Sequence, residues 1–362
     1  MDKDQPLTKL GERKIIEEIL QPRYKAQEIP YFGNDCAFVA QDIAEKNETI
    51  VATTDPCPTP MADHLGYSDL YYWGWLLATL NLSDLAAAGA TPLGLLGNYV
   101  LPNDTTVGQF ESLLDGIDEC CDKCDTSVTG GNIKESNEIH LSATAIGSCH
   151  KDKLMERTGA QLGDRIVVIG DLGLFWAGVL ATKNGLSLNS NLKDELLRNI
   201  LKPLPKMQVG RELAQKRLLT ACMDNSDGLY PSLIQLAEAN DERFYLKMDN
   251  VDFQEEVQYV SSVLDIDPIR FALGWGDWQL IGTVDPSSIE EVKSVADSHN
   301  IPTFIIGEVK EGEGVIINHK GNTGKLMPLD SQRFTKDSWF TSGIEGYIDM
   351  LANKPIIIND SY

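Results

Sequence analysis

The 362-residue sequence is poor in positive charge, in histidine and in long apolar runs. No hydrophobic stretch reaches the roughly 20 residues that a membrane-spanning helix needs. The first twenty residues alternate charge with apolar positions (Leu10, Ile15, Ile16, Ile19) and read as an amphipathic helix, not a signal peptide, so a cytoplasmic location is expected. Basic residues number 31 against 54 acidic ones, a formal charge of −23. That field repels a phosphate backbone and argues against nucleic acid as a partner. It also repels free ATP, so an ATP enzyme with this surface needs metal ions or local cations at its site.

Familiar motifs are missing too. The five histidines are too dispersed for a zinc site, and there is no H-E-x-x-H and no G-x-S-x-G elbow. The nearest approach to a Walker A loop, Gly321-Asn322-Thr323-Gly324-Lys325-Leu326, has His319 where the first glycine belongs and Leu326 where Ser or Thr belongs. No G-x-G-x-x-G opens a helix after a strand, so a Rossmann dinucleotide site is not supported. Seven cysteines are an odd number, and the single C-x-x-C spacing within Cys120, Cys121 and Cys124 falls on an expected helix, Val107 to Cys124. Reduced thiols are the better reading.

What is present is an alternation of strands and helices. Thr49 to Thr54 reads as a strand ending at Asp55, and Asp69 to Ala88 as a long helix stopped by Gly89 and Pro92. Leu93 to Leu101 is a further strand. Thr126 to Thr129 and Ile139 to Gly147 read as strands around a polar turn. After a charged, turn-rich stretch from Ser148 to Gly163, Arg165 to Ile169 is a strand entering the turn Gly170-Asp171-Leu172-Gly173. Leu218 to Met223 is an apolar strand that stops at Asp224. The expected fold class is mixed α+β and α/β in two domains, residues 1–150 and 151–362.

Several aspartates stand at strand ends and turns: Asp35, Asp55, Asp84, Asp224 and Asp227. Magnesium takes hard oxygen ligands, one or two carboxylates plus substrate phosphates, so aspartates gathered from separate segments could hold such ions along a triphosphate. Each piece also has a plainer reading. Gly33-Asn34-Asp35 can be a turn, Asp55 a strand terminator, and Asp224-Asn225-Ser226-Asp227-Gly228 a helix N-cap. Asp84 differs, because its alanine- and leucine-rich surroundings predict burial, and a buried carboxylate needs a partner or a metal.

The order of these segments resembles the thiamine-monophosphate kinase family, within the superfamily that includes aminoimidazole ribonucleotide synthetase. The resemblance rests on Gly33-Asn34-Asp35-Cys36-Ala37, Thr53-Thr54-Asp55, the block from Asn81-Leu82-Ser83-Asp84 to Ala90, Gly130-Gly131, Arg157-Thr158-Gly159-Ala160, Gly163-Asp164, Pro203 and Pro205, and Asp224 to Leu229. It runs from Gly11 to about Gly314 and implies an N-terminal mixed sheet forming a dimer barrel and a C-terminal α/β sandwich. It further implies Asp35, Thr53, Thr54, Asp55, Asp84 and Asp227 as ligands of two or more Mg2+, and ATP as cosubstrate at Gly130, Gly131, Asn132, Arg157, Ser226 and Asp224. Asp277, Trp339 and His64 would face a small-molecule phosphoryl acceptor, and the protein would be a homodimer.

Three departures bear on that assignment. The family's Gly-Gly-Asp is here Gly130-Gly131-Asn132. Its Ser-Gly-Gly-Glu-Asp-Tyr-Glu-Leu block is the shorter Gly274-Trp275-Gly276-Asp277-Trp278-Gln279-Leu280, with Asp277 the only candidate for the missing glutamate. Its Gly-x-His-Phe segment is replaced by Pro58-Thr59-Pro60-Met61-Ala62, leaving His64 nearby. Trp275 and Trp278 could stack on a planar substrate, although for Trp278 a core position is favoured, and Lys134 reads as a solvated turn lysine. The expected activity is transfer from ATP to thiamine monophosphate. A related enzyme acting on an amide or carboxamide oxygen, or a nucleotide-binding protein without catalysis, remains open from the sequence.

Overall fold

The computed structural model describes Lys14 and residues 36–40, 47–327, 329 and 339–358. Asp35 and most of the expected N-terminal helix lie outside the described residues.

Two sheets organise the chain. The first is five-stranded, in the order β1-β2-β5-β3-β4, with β1 Ala37–Ala40, β2 Glu48–Pro56, β3 Thr91–Pro102, β4 Val128–Ser136 and β5 His140–His150. All its pairings are antiparallel except β3 with β4. Along β5 buried and half-buried residues alternate, the period of a sheet with one covered face. The second sheet is eight-stranded, β13-β12-β11-β8-β10-β6-β9-β7. Its strands are β6 Arg165–Ile169, β7 Ala221–Asp224, β8 Arg243–Lys247, β9 Leu280–Val284, β10 Thr303–Lys310, β11 Val315–His319, β12 Asn322–Leu326 and β13 Ile357–Ile358. Among the described residues the first sheet is open and forms no closed barrel, and no helix is long and apolar enough to cross a membrane.

The helix Leu70–Ala87 is the central element. Asp69 starts it by accepting the Tyr71 N–H, and Gly89, at φ 69°, ends it. Every residue from Leu77 to Ala90 is buried. Such a helix has no solvent face, so it must be covered all round. The helix Val107–Lys123, opened by a Thr106/Gln109 capping box, covers one side, and β2 and β5 another. The helix Met207–Lys216 and strand β7, both from the second half of the chain, also pack on it. One hydrophobic cluster therefore contains Leu77, Leu82 and Leu85 together with Val167, Leu213, Leu280 and Val295, whereas a second, containing Trp176, Phe244, Phe271 and Tyr347, lies on the other face of the eight-stranded sheet.

Two details differ from the expectations. The polar stretch after Thr129 is not a turn but the body of β4, which runs to Ser136 and pairs in parallel with β3 through Gly131↔Gly97 and Asn132↔Asn98. As an edge strand exposed from Thr129 to Glu135 it buries no side-chain face, which is why it carries no alternating pattern. The residues that come nearest to a Walker A loop form the β11–β12 hairpin and open no helix.

Gly210 is a point of close backbone approach between the two halves of the chain. A Cβ there would stand 2.2 Å from the Ala86 carbonyl oxygen, a backbone atom that cannot move aside. Gly210→Val should therefore lower stability by about 1–3 kcal/mol through overpacking, read as a lower urea midpoint. An unchanged midpoint would show that this contact does not set the helix spacing.

Candidate active site

Strand β2 leads Thr53, Thr54 and Asp55 to the C-terminal half of the central helix. The Thr53 hydroxyl donates to Asp84 Oδ2 at 2.5 Å, and the Asp55 N–H donates to Asn81 Oδ1 at 3.0 Å. Asn81 and Asp84 are three residues apart and so share a helix face. Asp84 is 9% exposed, and charge-assisted bonds of this kind offset the cost of its burial. Thr54 points to the opposite, open face of the sheet, where its hydroxyl accepts from Thr144 at 3.1 Å and donates to the Ala143 carbonyl at 2.7 Å.

The sheet register places the glycine motif relative to these residues. Asp55, Ala143, Gly97 and Gly131 form one row across β2, β5, β3 and β4, so Asp55 and Gly131 stand roughly 14 Å apart at the usual strand spacing. Gly130 lies one position earlier on β4. Beside Gly131, Asn132 Nδ2 donates to Asn98 Oδ1 at 3.3 Å, and Asn98 Nδ2 to Ser142 Oγ at 3.4 Å. Asn132 thus belongs to a neutral amide and hydroxyl row, not to a carboxylate cluster.

A second group gathers in the other half of the chain. Strand β7 ends at Asp224, and the loop Asn225-Ser226-Asp227-Gly228 leads into the helix Leu229–Ala239. Ser226 Oγ donates to Asp224 Oδ1 at 3.3 Å. Arg157, half-buried, donates from Nη1 to Gln235 Oε1 at 3.1 Å on that same helix. Asn240, just past the helix end, fixes the arginine's segment: it accepts from the Gly159 and Ala160 N–H groups and donates to the Arg157 carbonyl. The central helix packs against both β2 and β7, the strands that lead into the two groups.

Among the described residues no three His, Cys, Asp or Glu side chains stand close enough together to hold a metal ion. The donors that are described (Thr53, Thr54, Asp55, Asp84, Asp227) are all hard oxygens, which is the chemistry magnesium takes, and Thr53 is in direct contact with Asp84.

The acceptor-side residues are less concentrated. His64 is exposed on the short helix Met61–His64. Trp339 begins the helix Trp339–Asn353, and its side chain lies outside the described residues. Trp275 packs its ring against Phe175, Trp176 and Tyr347 at centroid distances of 5.3, 5.4 and 6.1 Å, so it is part of an aromatic cluster and not an open platform. Trp278 is 4% exposed, though it belongs to neither large hydrophobic cluster. Asp277 is buried beneath the start of the helix Leu174–Lys183, where its two oxygens accept from the Gly173 N–H at 2.6 Å and the Phe175 N–H at 2.8 Å. Both oxygens of the only candidate for the missing glutamate are therefore engaged in capping a helix.

Residues 33–149 match the family described as AIR synthase related protein, N-terminal domain, and residues 161–320 match its C-terminal domain. The chain belongs to that family, whose two-domain fold of mixed sheets and helices is the one described above. It is 30% identical over 313 residues to the thiamine-monophosphate kinase of Methanopyrus kandleri, covering 84% of this chain and 92% of that protein. It is 29% identical over 253 residues to the thiamine-monophosphate kinase of Synechococcus elongatus, covering 66% of this chain and 72% of that protein. Among solved structures, AaThiL complexed with AMPPCP and TMP superposes with a TM-score of 0.76 at 26% identity, over 92% of this chain and 100% of that one.

Asp277 also carries a pH signature. Burial pushes its carboxyl up to about 7, against the pull of the Phe175 and Gly173 N–H groups; the charge of Asp171 adds to the rise and Lys206 opposes it. The folded chain therefore holds this proton more tightly than the unfolded chain does, and the associated stability is present at acid pH and lost as pH climbs from about 4 to 7. The stability of wild type relative to Asp277→Asn should fall by about 2–3 kcal/mol between pH 5 and pH 8, measured by urea denaturation at both. A difference independent of pH would mean that Asp277 is ionised throughout.

Proposed function

We propose that the chain is an ATP-dependent kinase that converts thiamine monophosphate to thiamine diphosphate. The observation that carries this reading is the likeness, over nearly the whole chain, to AaThiL complexed with AMPPCP and TMP, combined with oxygen donors on strands β2 and β7 that pack against one buried helix. The relatives named above share that activity by name, so a different acceptor or a role without catalysis, both open from the sequence alone, is not favoured.

Asp35, Thr53, Asp55, Asp84 and Asp227 would hold magnesium, which when bound supplies positive charge to the triphosphate and to the transition state; the Thr54 hydroxyl, turned to the opposite face of the sheet, would not. The Thr53–Asp84 contact keeps the Asp84 carboxylate aimed from the helix toward the strand end. Ser226 and the loop that begins at Asp224 would meet the nucleotide phosphates, helped by Arg157 and by the Gly130-Gly131-Asn132 edge. The acceptor is already an anionic phosphate, so no strong general base is needed. The task of the residues is to hold two phosphates in line and to exclude water. His64 and the helix begun by Trp339 would border the acceptor, while Asp277 would act through the helix it caps.

The protein would work as a homodimer. Leu93 and Leu96 are 51% and 38% exposed on the first sheet, next to the edge strand β4, which is exposed from Thr129 to Glu135. Apolar residues beside an uncovered edge are a usual site of strand-to-strand or face-to-face association. Light scattering should give twice the chain mass of 39.9 kDa, and a monomer at micromolar concentration would count against the dimer.

Incubation with ATP, magnesium and thiamine monophosphate should yield thiamine diphosphate and ADP, followed by phosphorus NMR. Asp84→Asn and Asp227→Asn should each lower kcat by about 100-fold or more. Full activity in either variant would remove that residue from the site, and absence of product from the wild type would remove the acceptor.

A further inference from the structure

A buried amide contact lies behind the Asp224–Gly228 loop. Asn225 is fully buried, and so is Gln279 on the approach to β9. The Asn225 N–H donates to the Gln279 carbonyl at 2.9 Å, and Asn225 Nδ2 donates to Gln279 Oε1 at 2.9 Å. The two remaining polar atoms are also engaged. Gln279 Nε2 donates to the Asp171 carbonyl at 2.9 Å, and Asn225 Oδ1 accepts from Ser232 Oγ at 3.1 Å. Side chains so completely satisfied have one low-energy arrangement, and a shift of either residue breaks bonds that water cannot replace.

The backbone around this pair leaves no slack. Gly170, at φ 133°, lies so close that a Cβ would stand 2.5 Å from that of Gln279. Gly228, at φ 108°, would place a Cβ 3.0 Å from the Leu273 carbonyl oxygen and 3.1 Å from the Trp275 nitrogen. Between the capping residue Asp277 and Gln279, Trp278 takes a left-handed φ of 50°, which a bulky residue adopts only when its surroundings enforce it. The turn from Gly274 to Gln279 is thus tied at one end to the helix Leu174–Lys183 and at the other to the loop that carries Ser226 and Asp227.

We propose that Gln279 is a positioning residue whose amide, through Asn225, sets the Asp224–Gly228 loop against the β- and γ-phosphates of the nucleotide. This rests on the kinase reading for what the loop binds, but not on the identity of the acceptor. The sequence hides the link, because the partners are 54 positions apart and sit in two separate motifs, with nothing in either to show that they meet.

The test compares affinities for AMPPCP with magnesium and for AMP, which lacks the two phosphates concerned. Gln279→Leu should weaken AMPPCP binding about tenfold with AMP binding changed less than twofold, and should lower kcat with thiamine monophosphate at least tenfold. Asn225→Ala cuts the same link from the loop side and should give the same ratio, which keeps the test available if the leucine variant does not fold. Gln279→Glu, which keeps the acceptor oxygen but loses the donor to the Asp171 carbonyl, should recover AMPPCP affinity only in part, to a value between the leucine variant and the wild type. Wild-type AMPPCP affinity in a folded Leu or Ala variant, or equal loss of AMPPCP and AMP, would overturn the proposal. If the wild type makes no thiamine diphosphate while the affinity ratio moves as expected, the acceptor assignment fails and the role of Gln279 stands.

Discussion

A carboxylate in the middle of a helix of alanine and leucine is the constraint from which the rest of the site follows. Asp84 is almost wholly buried, and an isolated charge there would cost several kcal/mol or force the group to take up a proton. The Thr53 hydroxyl at 2.5 Å answers that need, and Asn81, one turn earlier, takes the Asp55 N–H. These two contacts pin the end of β2 to the helix. Through the unbroken register of β2 with β5 and the pairing of β5 with β3, they also set where Gly131 and Asn132 lie on the edge strand. The same helix touches β7, so the position of Asp224 is referred to it as well. A segment that looks in sequence like a plain hydrophobic core piece is the reference frame for both halves of the molecule.

That frame explains which parts of the site could be read from the sequence. Asp84 was legible because its apolar neighbours are adjacent in the chain, and a charge among them demands a reason. Asn81 carried the same signal three residues earlier and could have been found by asking which other polar side chain shares that helix face. The central helix and strands β6 and β7 were legible from local apolar pattern and stop signals. Strand β4 was not, because its backbone bonds come from β3 and its side chains have no buried face to mark a period. The capping role of Asp277 was hidden for a related reason. Its partners, the Gly173 and Phe175 N–H groups, are about a hundred residues away, and nothing near Asp277 in sequence distinguishes a buried cap from a ligand contact.

The long-range contacts also account for the departures on the acceptor side. Where the family block has three carboxylates, Glu, Asp and Glu, this chain has one, Asp277, and it lies beneath a helix start. Helix N-termini carry partial positive charge, and that field together with two N–H donors is the environment in which a buried carboxyl can be tolerated. The smaller number of carboxylates in the turn lowers the negative charge in a region that already contains the half-buried Asp171 and the buried Asp224 and Asp277. Gln279 fits the same logic, because its neutral amide can both accept from Asn225 and donate to the Asp171 carbonyl, whereas an ionised side chain could only accept.

The overall charge of −23 sharpens the point. A triphosphate approaching such a surface meets repulsion until it carries cations of its own or reaches local ones. Arg157, clamped by Gln235 and by the contacts of Asn240 to its segment, is a cation held next to the helix that follows the Asp224–Gly228 loop. Lys206, 9% exposed and 3.9 Å from Asp171, is held behind the turn that abuts Gln279. Both are fixed by other parts of the protein before any nucleotide arrives. Cations held in place by the fold need little reorganisation when an anion approaches, so they offset the repulsion of the surface locally.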